Sequence, residues 1–203
     1  MKISTVDFIF DFASPNAYLC HKVIPSIEAK TGVTFNYIHC LLGGIFKITN
    51  NQAPMISFAN IQNKLEYESL EMQRFIDKYA LAKFTMNSNF PITTVTLQRG
   101  GLVAEEQGCG AAYRDLMLKG MWEEDANLGD LEVFSDYVKQ LGLNPEQTLE
   151  KLSSPEIKQL LIDNTSMAVE RGAFGVPTFY AGSEMFFGKE RLSQLEEFLL
   201  TQN

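Results

Sequence analysis

The chain has few of the residues that build metal centres or disulfide frameworks. Its 203 residues include only three cysteines, Cys20, Cys40 and Cys109, and only two histidines. The cysteines are widely spaced and odd in number, so they show neither the spacing of zinc ligands nor a set of paired cysteines. We therefore expect no metal site, and free thiols in a reducing compartment, the cytoplasm.

Long apolar runs and clusters of positive charge are also missing. No stretch of 18 apolar residues occurs, and Asp7 interrupts the N-terminal segment where a signal peptide would be apolar. The net charge is −8, with 17 Lys and Arg residues against 25 Asp and Glu residues and no basic run. These features argue against a transmembrane helix, a nucleic-acid partner and an acidic membrane surface.

Strand and helix signals alternate at the N-terminal end. Residues 3–12 and 33–41 are rich in β-branched and aromatic types, which predicts two strands. Between them, Ser14 is a favoured N-cap and Pro15 suits the first helical position, so we predict a helix from there to a stop at Gly32.

The C-terminal end has the opposite order, two strands and then a helix. Residues 177–181 and 184–187 predict a hairpin, and the segment 188–190 should open a terminal helix. The whole chain thus has the order βαβ, a helical block, and ββα.

The middle of the chain, from about 58 to 172, is dominated by the helical period. Residues 94–121 are predicted to be helical with interruptions at Gly100-Gly101 and Gly108. Further helix starts are predicted at Asp130, Asn144-Pro145 and Ser154-Pro155. Two apolar helix faces are predicted from the spacing of Leu65, Met72, Ile76 and Tyr79, and of Leu131, Phe134, Val138 and Leu141.

Several segments, in order, resemble one family. They are Asp11–Tyr18, Leu41–Lys47 with Asn51 and Pro54 after it, Phe90-Pro91, Gly172–Thr178 and Met185–Leu192. Together they resemble the 2-hydroxychromene-2-carboxylate isomerases and the related kappa-class glutathione transferases, which are DsbA-like proteins. The resemblance implies an α/β thioredoxin-like fold with a large all-helical insertion. Residues 1–44 and 173–203 would form a discontinuous thioredoxin-like domain, and 45–172 a connecting segment and helical insertion domain.

Ser14 is the candidate catalytic residue. A Ser-Pro pair before a helix is by itself only a cap, but in a thioredoxin-like fold this point carries the attacking cysteine at a helix N-terminus. A serine hydroxyl can donate a hydrogen bond to a thiolate brought by a cofactor and so lower the pKa of that thiol. Ala17 stands at the position of the second cysteine, so dithiol exchange is excluded here.

The resemblance also implies a cofactor, glutathione, and a set of residues that bind it. A cis Val176-Pro177 bond would present the backbone of Val176 to an extended peptide. The N-terminus of the last helix would receive a carboxylate. The predicted cofactor-binding residues are Ser14, Lys47, Asn51, Val176, Pro177, Gly188, Lys189 and Glu190.

The function implied by the resemblance is glutathione-dependent cis–trans isomerisation of a conjugated aromatic keto acid by reversible thiolate addition. The substrate would be a small aromatic or unsaturated keto acid, and the protein a homodimer. Asn16 and Thr93 differ from the residues common in relatives, and both could line the substrate side. Two alternatives stay open: a kappa-like transferase that conjugates electrophiles, and a non-catalytic glutathione- or peptide-binding module.

Overall fold

The two ends of the chain pair in one four-stranded sheet. The computed structural model describes residues 3–202, so positions 1, 2 and 203 of the predicted terminal segments lie outside the described residues. The strands are β1 (Thr5–Phe10), β2 (Thr34–His39), β3 (Thr178–Ala181) and β4 (Glu184–Phe187). Their order across the sheet is β2-β1-β3-β4. Strand β1 is parallel to β2 and antiparallel to β3, and β3 and β4 form the predicted hairpin. The predicted thioredoxin-like fold with a helical insertion is therefore confirmed.

Helix α1 (Pro15–Thr31) connects β1 to β2 and begins where the sequence predicted. The Ser14 side chain accepts a hydrogen bond from the Ala17 N–H at 3.2 Å, which satisfies one of the free donors at the helix start. Gly32 ends the helix with a φ of 70°, a left-handed conformation that glycine adopts without steric cost.

The remaining helices are mostly those between β2 and β3. They are α2 (Leu42–Thr49), α3 (Pro54–Ser57), α4 (Lys64–Lys78), α5 (Val95–Glu106), α6 (Gly110–Glu123), α7 (Leu131–Gln140), α8 (Pro145–Leu152) and α9 (Pro155–Glu170). A 3₁₀ turn at Lys189–Arg191 leads into α10 (Leu192–Thr201), so the terminal helix opens with a tighter turn than predicted. The predicted caps Asp130, Asn144 and Ser154 each accept a backbone N–H with their side chains.

The predicted interruption at Gly100-Gly101 is wrong, because both glycines lie inside α5. They are there for packing: a β-carbon on Gly100 would lie 2.3 Å from the Tyr113 hydroxyl, and one on Gly101 2.3 Å from His39 Cε1. The predicted interruption at Gly108 is confirmed, with a φ of +74° between α5 and α6. The two glycines let α5 approach its neighbours closely. A rule based on sequence alone interprets the same glycines as the end of a helix.

A continuous apolar core joins the sheet to the helical block. Phe8 and Phe179 contact across the β1–β3 pair with ring centroids 4.7 Å apart, and the single Trp122 is fully buried in the same cluster. Two residues of the predicted apolar helix faces are exposed, since Leu65 is 38% exposed and Leu131 is 55% exposed. Both residues lie in the first turn of their helices, where the apolar face is not covered by another element among residues 3–202.

Among residues 3–202, no helix is long and apolar enough to cross a membrane. Over the same residues, no group of three or more His, Cys, Asp and Glu side chains is placed to hold a metal ion. The proposed boundaries at residues 44 and 172 stay a prediction.

Candidate active site

The Ser14 hydroxyl lies at the junction of the two halves of the sheet. It is 5% exposed, and its oxygen accepts the Ala17 N–H of the helix cap. Its proton is donated to the Val176 carbonyl at 3.3 Å, a contact between residues 162 positions apart in the chain. A hydroxyl–carbonyl hydrogen bond is usually 2.7 to 2.8 Å long, so this one is weak and the proton can turn to another acceptor at small cost.

The segment 174–177 holds the other side of the site. Each of its four carbonyl groups accepts a hydrogen bond. Asn51 Nδ2 donates to the Phe174 carbonyl at 2.8 Å, and the Thr178 hydroxyl donates to the Gly175 carbonyl at 2.8 Å. Ser14 donates to Val176, and the Gly188 N–H donates to the Pro177 carbonyl at 2.9 Å. The segment is therefore fixed by residues from the start of α1, the loop after α2, and the end of the β4 strand.

The Val176–Pro177 peptide bond is cis, which is the geometry that the resemblance implies. The side chain of Val176 is 8% exposed, and its backbone N–H has no acceptor among residues 3–202. A backbone N–H without a protein partner is uncommon in a residue with so little exposed surface. It is the kind of donor that pairs with the backbone of an extended peptide ligand.

Lys189 and Glu190 form an ion pair at the start of the last helix. The Lys189 side chain is 2% exposed, whereas that of Glu190 is 44% exposed and turned back over Gly188. The Gly188 N–H is already engaged by Pro177, so the first-turn N–H groups left for a carboxylate are those of Lys189 and Glu190.

Lys47 and Asn51 lie at and after the C-terminal end of α2. Asn51 faces the site through its bond to Phe174, and its Oδ1 accepts the Gln52 N–H at 2.8 Å. Lys47 is exposed, and its ammonium has no partner among residues 3–202. Of the predicted residues, the structure thus links Ser14, Asn51 and Gly188 directly to the segment 174–177 and leaves Lys47 at the surface.

Helix α4 also approaches this site, which the sequence did not predict. The Glu190 carboxylate contributes to raising the pKa of Lys64, although the hydrogen bond of Lys64 to Glu68 is the larger cause. Similarly, Lys189 contributes to lowering the pKa of Glu71, after the larger effect of Arg74. Charged side chains of α4 therefore lie close to the Lys189–Glu190 pair.

Asp11 is a second residue that sequence reasoning missed, although it opens the motif around Ser14. It is 1% exposed and makes hydrogen bonds to three elements. Its Oδ1 accepts the Ala13 N–H at 3.0 Å and the Thr94 hydroxyl at 2.7 Å, and its Oδ2 accepts the Leu42 N–H at 2.7 Å. Burial raises the pKa of Asp11, and these donors partly offset the shift. The only feature of the sequence that marks Asp11 is that a single acidic residue follows an apolar strand.

Helix α5 contacts the end of β1 through hydrogen bonds of the Gln98 side chain. Gln98 Nε2 donates to the Phe10 carbonyl at 3.1 Å, so its Oε1 faces His39 Nδ1 at 2.6 Å. This arrangement requires a proton on His39 Nδ1. His39 is buried, and burial lowers its pKa to about 4. His39 is therefore neutral near pH 7 and packs between β2 and α5.

Cys20 and Cys40 do not replace the missing cysteines. Cys20 and Cys40 are buried and free, and burial raises the pKa of both thiols. A buried thiol with a raised pKa is a poor nucleophile. The chemistry available at this site is thus a hydroxyl donor at a helix N-terminus beside an unpaired backbone N–H.

The comparisons with known proteins agree with this arrangement. Residues 5–200 match the family model described as a DSBA-like thioredoxin domain. The chain is 31% identical to a 2-hydroxychromene-2-carboxylate isomerase of Pseudomonas putida, over 94% of this chain and 92% of that protein. It is 28% identical to glutathione S-transferase kappa 1 of Caenorhabditis elegans, over 98% of this chain and 92% of that protein.

Solved structures show the same similarity. A 2-hydroxychromene-2-carboxylate isomerase superposes with a TM-score of 0.83 and 26% identity, covering 97% of this chain and 95% of that one. A probable DsbA oxidoreductase from Streptomyces coelicolor superposes with a TM-score of 0.77, covering 98% and 89%. At 17% identity, the second comparison shows a shared fold only.

Proposed function

The chain belongs to the DSBA-like thioredoxin domain family, among the 2-hydroxychromene-2-carboxylate isomerases and their kappa-class relatives, and from this we propose that it is a glutathione-dependent cis–trans isomerase. The substrate class is a conjugated aromatic keto acid. The observation that carries the proposal is a serine hydroxyl, in place of a cysteine, against the Val176 carbonyl at 3.3 Å. When bound, glutathione supplies the nucleophilic sulfur that this site lacks.

The residues present fit a tripeptide with a carboxylate at one end. The unpaired Val176 N–H is placed to bind a backbone carbonyl of the peptide, as an added strand would. The N–H groups at the start of the last helix, at Lys189 and Glu190, are suited to a carboxylate, and the Glu190 carboxylate to an amino group. Asn51 holds the segment 174–177 in place, and Lys47 adds a positive charge near the anionic ligand.

Ser14 performs the electrostatic step in this proposal. Its proton turns from the Val176 carbonyl towards a cofactor sulfur and stabilises the ionised form, which lowers the pKa of the thiol. The N-terminal end of α1 adds a partial positive charge at the same point. Lys47 and Asn51 are the candidates to stabilise negative charge that develops on the substrate.

A second function, conjugation of electrophiles to glutathione, is favoured by the 28% identity to the kappa-class transferase. Both reactions need the same activated sulfur. They differ in whether the product retains the glutathione sulfur. Incubation with glutathione and 2-hydroxychromene-2-carboxylate is expected to give an isomer free of glutathione. A stable conjugate that accumulates in mass spectra would instead support the transferase.

We also propose a second copy of this chain as partner and the cytoplasm as location. The segment of α3 and α4 exposes a row of apolar side chains, Met55, Ile56, Ile61, Leu65, Tyr67 and Leu70. Apolar patches of this kind mark interaction surfaces, and most oligomers pair identical patches. The three free cysteines support a reducing compartment.

The experiment that tests the function compares Ser14→Ala with Ser154→Ala. Both serines cap a helix before a proline, and their oxygens accept an N–H at 3.2 Å and 3.3 Å. Each variant should lose about 1 kcal/mol of stability from the cap. Only Ser14→Ala should also raise the pKa of the bound glutathione thiol and lower the rate at neutral pH, with recovery at alkaline pH.

The measurements are calorimetry with glutathione, thiolate absorbance against pH, and the pH–rate profile. Glutathione at about 100 times Kd should stabilise the wild-type protein by about 2.7 kcal/mol. If the thiol of bound glutathione titrates identically in the two variants, Ser14 acts only as a helix cap. No binding at millimolar glutathione would reject the proposed function as a whole.

A further inference from the structure

The burial of the Asp11 carboxylate is not explained by a role as a helix cap or by a surface salt bridge. Its carboxylate is almost fully buried, three residues before Ser14, and has no cationic partner among residues 3–202. A buried carboxylate is costly unless donors satisfy both oxygens. Here the donors come from three separate parts of the fold.

Each donor fixes a different element against the Ser14 turn. The Ala13 N–H closes the turn that leads to Ser14, and the Ser14 N–H itself donates to the Asp11 carbonyl at 3.1 Å. The Leu42 N–H is the first of α2, the helix that leads to Lys47 and Asn51. The carboxylate thus joins the turn of Ser14 to the helix that carries the other cofactor-side residues.

The third donor, Thr94, comes from the helical insertion. Its hydroxyl is 2.7 Å from Asp11 Oδ1, and Thr94 is 5% exposed immediately before α5. The preceding residue, Thr93, is exposed, so the Thr94 bond sets where this edge of the insertion stands relative to Ser14. Trp122 Nε1 donates to the Phe12 carbonyl at 3.0 Å, a second contact of the insertion with the same turn.

We propose that Asp11 is a positioning residue, which uses Thr94 to hold the edge of the insertion at the start of α5 in register with Ser14. It touches neither cofactor nor substrate. Because a carboxylate only accepts hydrogen bonds, it satisfies the two N–H groups and the hydroxyl at once, whereas an amide would place its own donor against one of them. This inference rests on the proposed function for its meaning in catalysis.

The test removes the Thr94 link alone, because Asp11 substitutions also free two backbone donors and risk misfolding. Thr94→Val deletes the hydroxyl with little change of shape, and Thr94→Ser restores it. Thr148→Val is the matched control: Thr148 is 3% exposed in the same insertion, and within residues 3–202 its hydroxyl bonds only to the carbonyl of Asn144, the cap of its own helix.

The first readout is kinetic. With 2-hydroxychromene-2-carboxylate as substrate, Thr94→Val should lower kcat/KM about tenfold, because the edge of the insertion beside the Ser14 turn is no longer held. Its glutathione Kd, measured by calorimetry, should stay within about twofold of the wild-type value. Thr94→Ser should recover most of the loss, and Thr148→Val should match the wild-type protein in both quantities.

The second readout needs no cofactor, so it separates this inference from the proposed function. In a Ser14→Cys background, the pH dependence of alkylation by iodoacetamide gives the pKa of the introduced thiol. Thr94→Val should shift that pKa because the start of α5 moves relative to the turn that carries residue 14, and Thr148→Val should not. If the wild-type protein binds no glutathione, the proposed function is rejected. The pKa of the introduced thiol then still decides whether Asp11 has the positioning role.

Equal effects of Thr94→Val and Thr148→Val on kinetics and on the thiol pKa would overturn the positioning role. So would a Thr94→Val protein that loses glutathione binding in proportion to kcat/KM, since the link would then serve the fold in general. A thiol pKa that shifts only with Thr94→Val supports the inference even when the isomerisation is absent.

Discussion

At the residue scale, Ser14 combines two roles that a single oxygen can fill because it both accepts and donates. It accepts from Ala17 as a helix cap and donates to Val176 as a polar contact across the site. A cysteine here would be a weaker cap but a nucleophile in its own right. The serine therefore keeps the local structure of a redox site and removes its redox chemistry.

His39 gives a prediction about pH at the same scale. Its pKa of about 4 in the folded protein lies below the usual value of 6.5, because the buried ring is desolvated. The unfolded chain thus binds more protons between these values, and stability should fall as the pH drops from 6.5 to 4, by about 3 kcal/mol at most. Equilibrium urea unfolding at pH 7, 6 and 5 measures this loss.

The matched pair for that measurement is His39→Gln and His21→Gln, since the chain has only these two histidines. His21 lies between an Asp115 carboxylate oxygen, at 2.9 Å, and the Tyr37 hydroxyl, at 2.8 Å, so both of its ring nitrogens have polar partners. His39→Gln should be less stable at pH 7 but lose less stability on acidification. Asp11, whose pKa is raised, acts in the opposite sense as the pH falls, and it is present in both variants. An equal pH slope in His39→Gln and the wild-type protein would contradict the assignment.

At the element scale, helix α5 shows why composition alone misjudges a helix. Its two central glycines weaken the intrinsic preference for helix by about 1 kcal/mol each relative to alanine. They are tolerated because Tyr113 and His39 occupy the space of their side chains. The helix is therefore stabilised by its contacts, including the Tyr113 hydroxyl that donates to the Leu97 carbonyl at 2.9 Å.

Alanine substitution at two helical glycines should have opposite effects. Gly101→Ala places a β-carbon 2.3 Å from His39 and should destabilise the protein by about 1 to 3 kcal/mol, as overpacking does. Gly43→Ala in α2 meets no atom within 4 Å and should stabilise it by up to about 1 kcal/mol. Thermal unfolding of both variants checks this, and destabilisation by Gly43→Ala would show that α2 needs its glycine for another reason.

At the scale of the whole molecule, the exposed apolar row on α3 and α4 predicts a homodimer. Replacing Ile56 and Ile61 with Glu places two charges in that surface, where burial on association would desolvate them. The double variant should sediment as a monomer at micromolar concentration, while the wild-type protein sediments as a dimer. Leu131→Glu, a change at an equally exposed leucine of α7, should leave the dimer intact. A monomeric wild-type protein would refute the prediction.

The sequence by itself determined the order of elements and most of their ends. Ser14, Asn144 and Ser154 predicted helix starts, and Gly32 and Gly142 lie just beyond helix ends with left-handed backbone, because these signals act within one turn of chain. The absence of cysteine at positions 14 and 17 likewise excludes dithiol exchange there, because that reaction needs two sulfur atoms whatever the surrounding fold.

Only the tertiary structure decided which distant groups meet. Asp11, Thr94 and Leu42 come from three segments, and nothing local to Thr94 marks it as the partner of a buried acid. The same holds for Asn51 and the Phe174 carbonyl. Capping and turn preferences are local and can be read from neighbours in sequence, whereas these contacts depend on how the sheet and the insertion pack, which sums many weak and distant interactions.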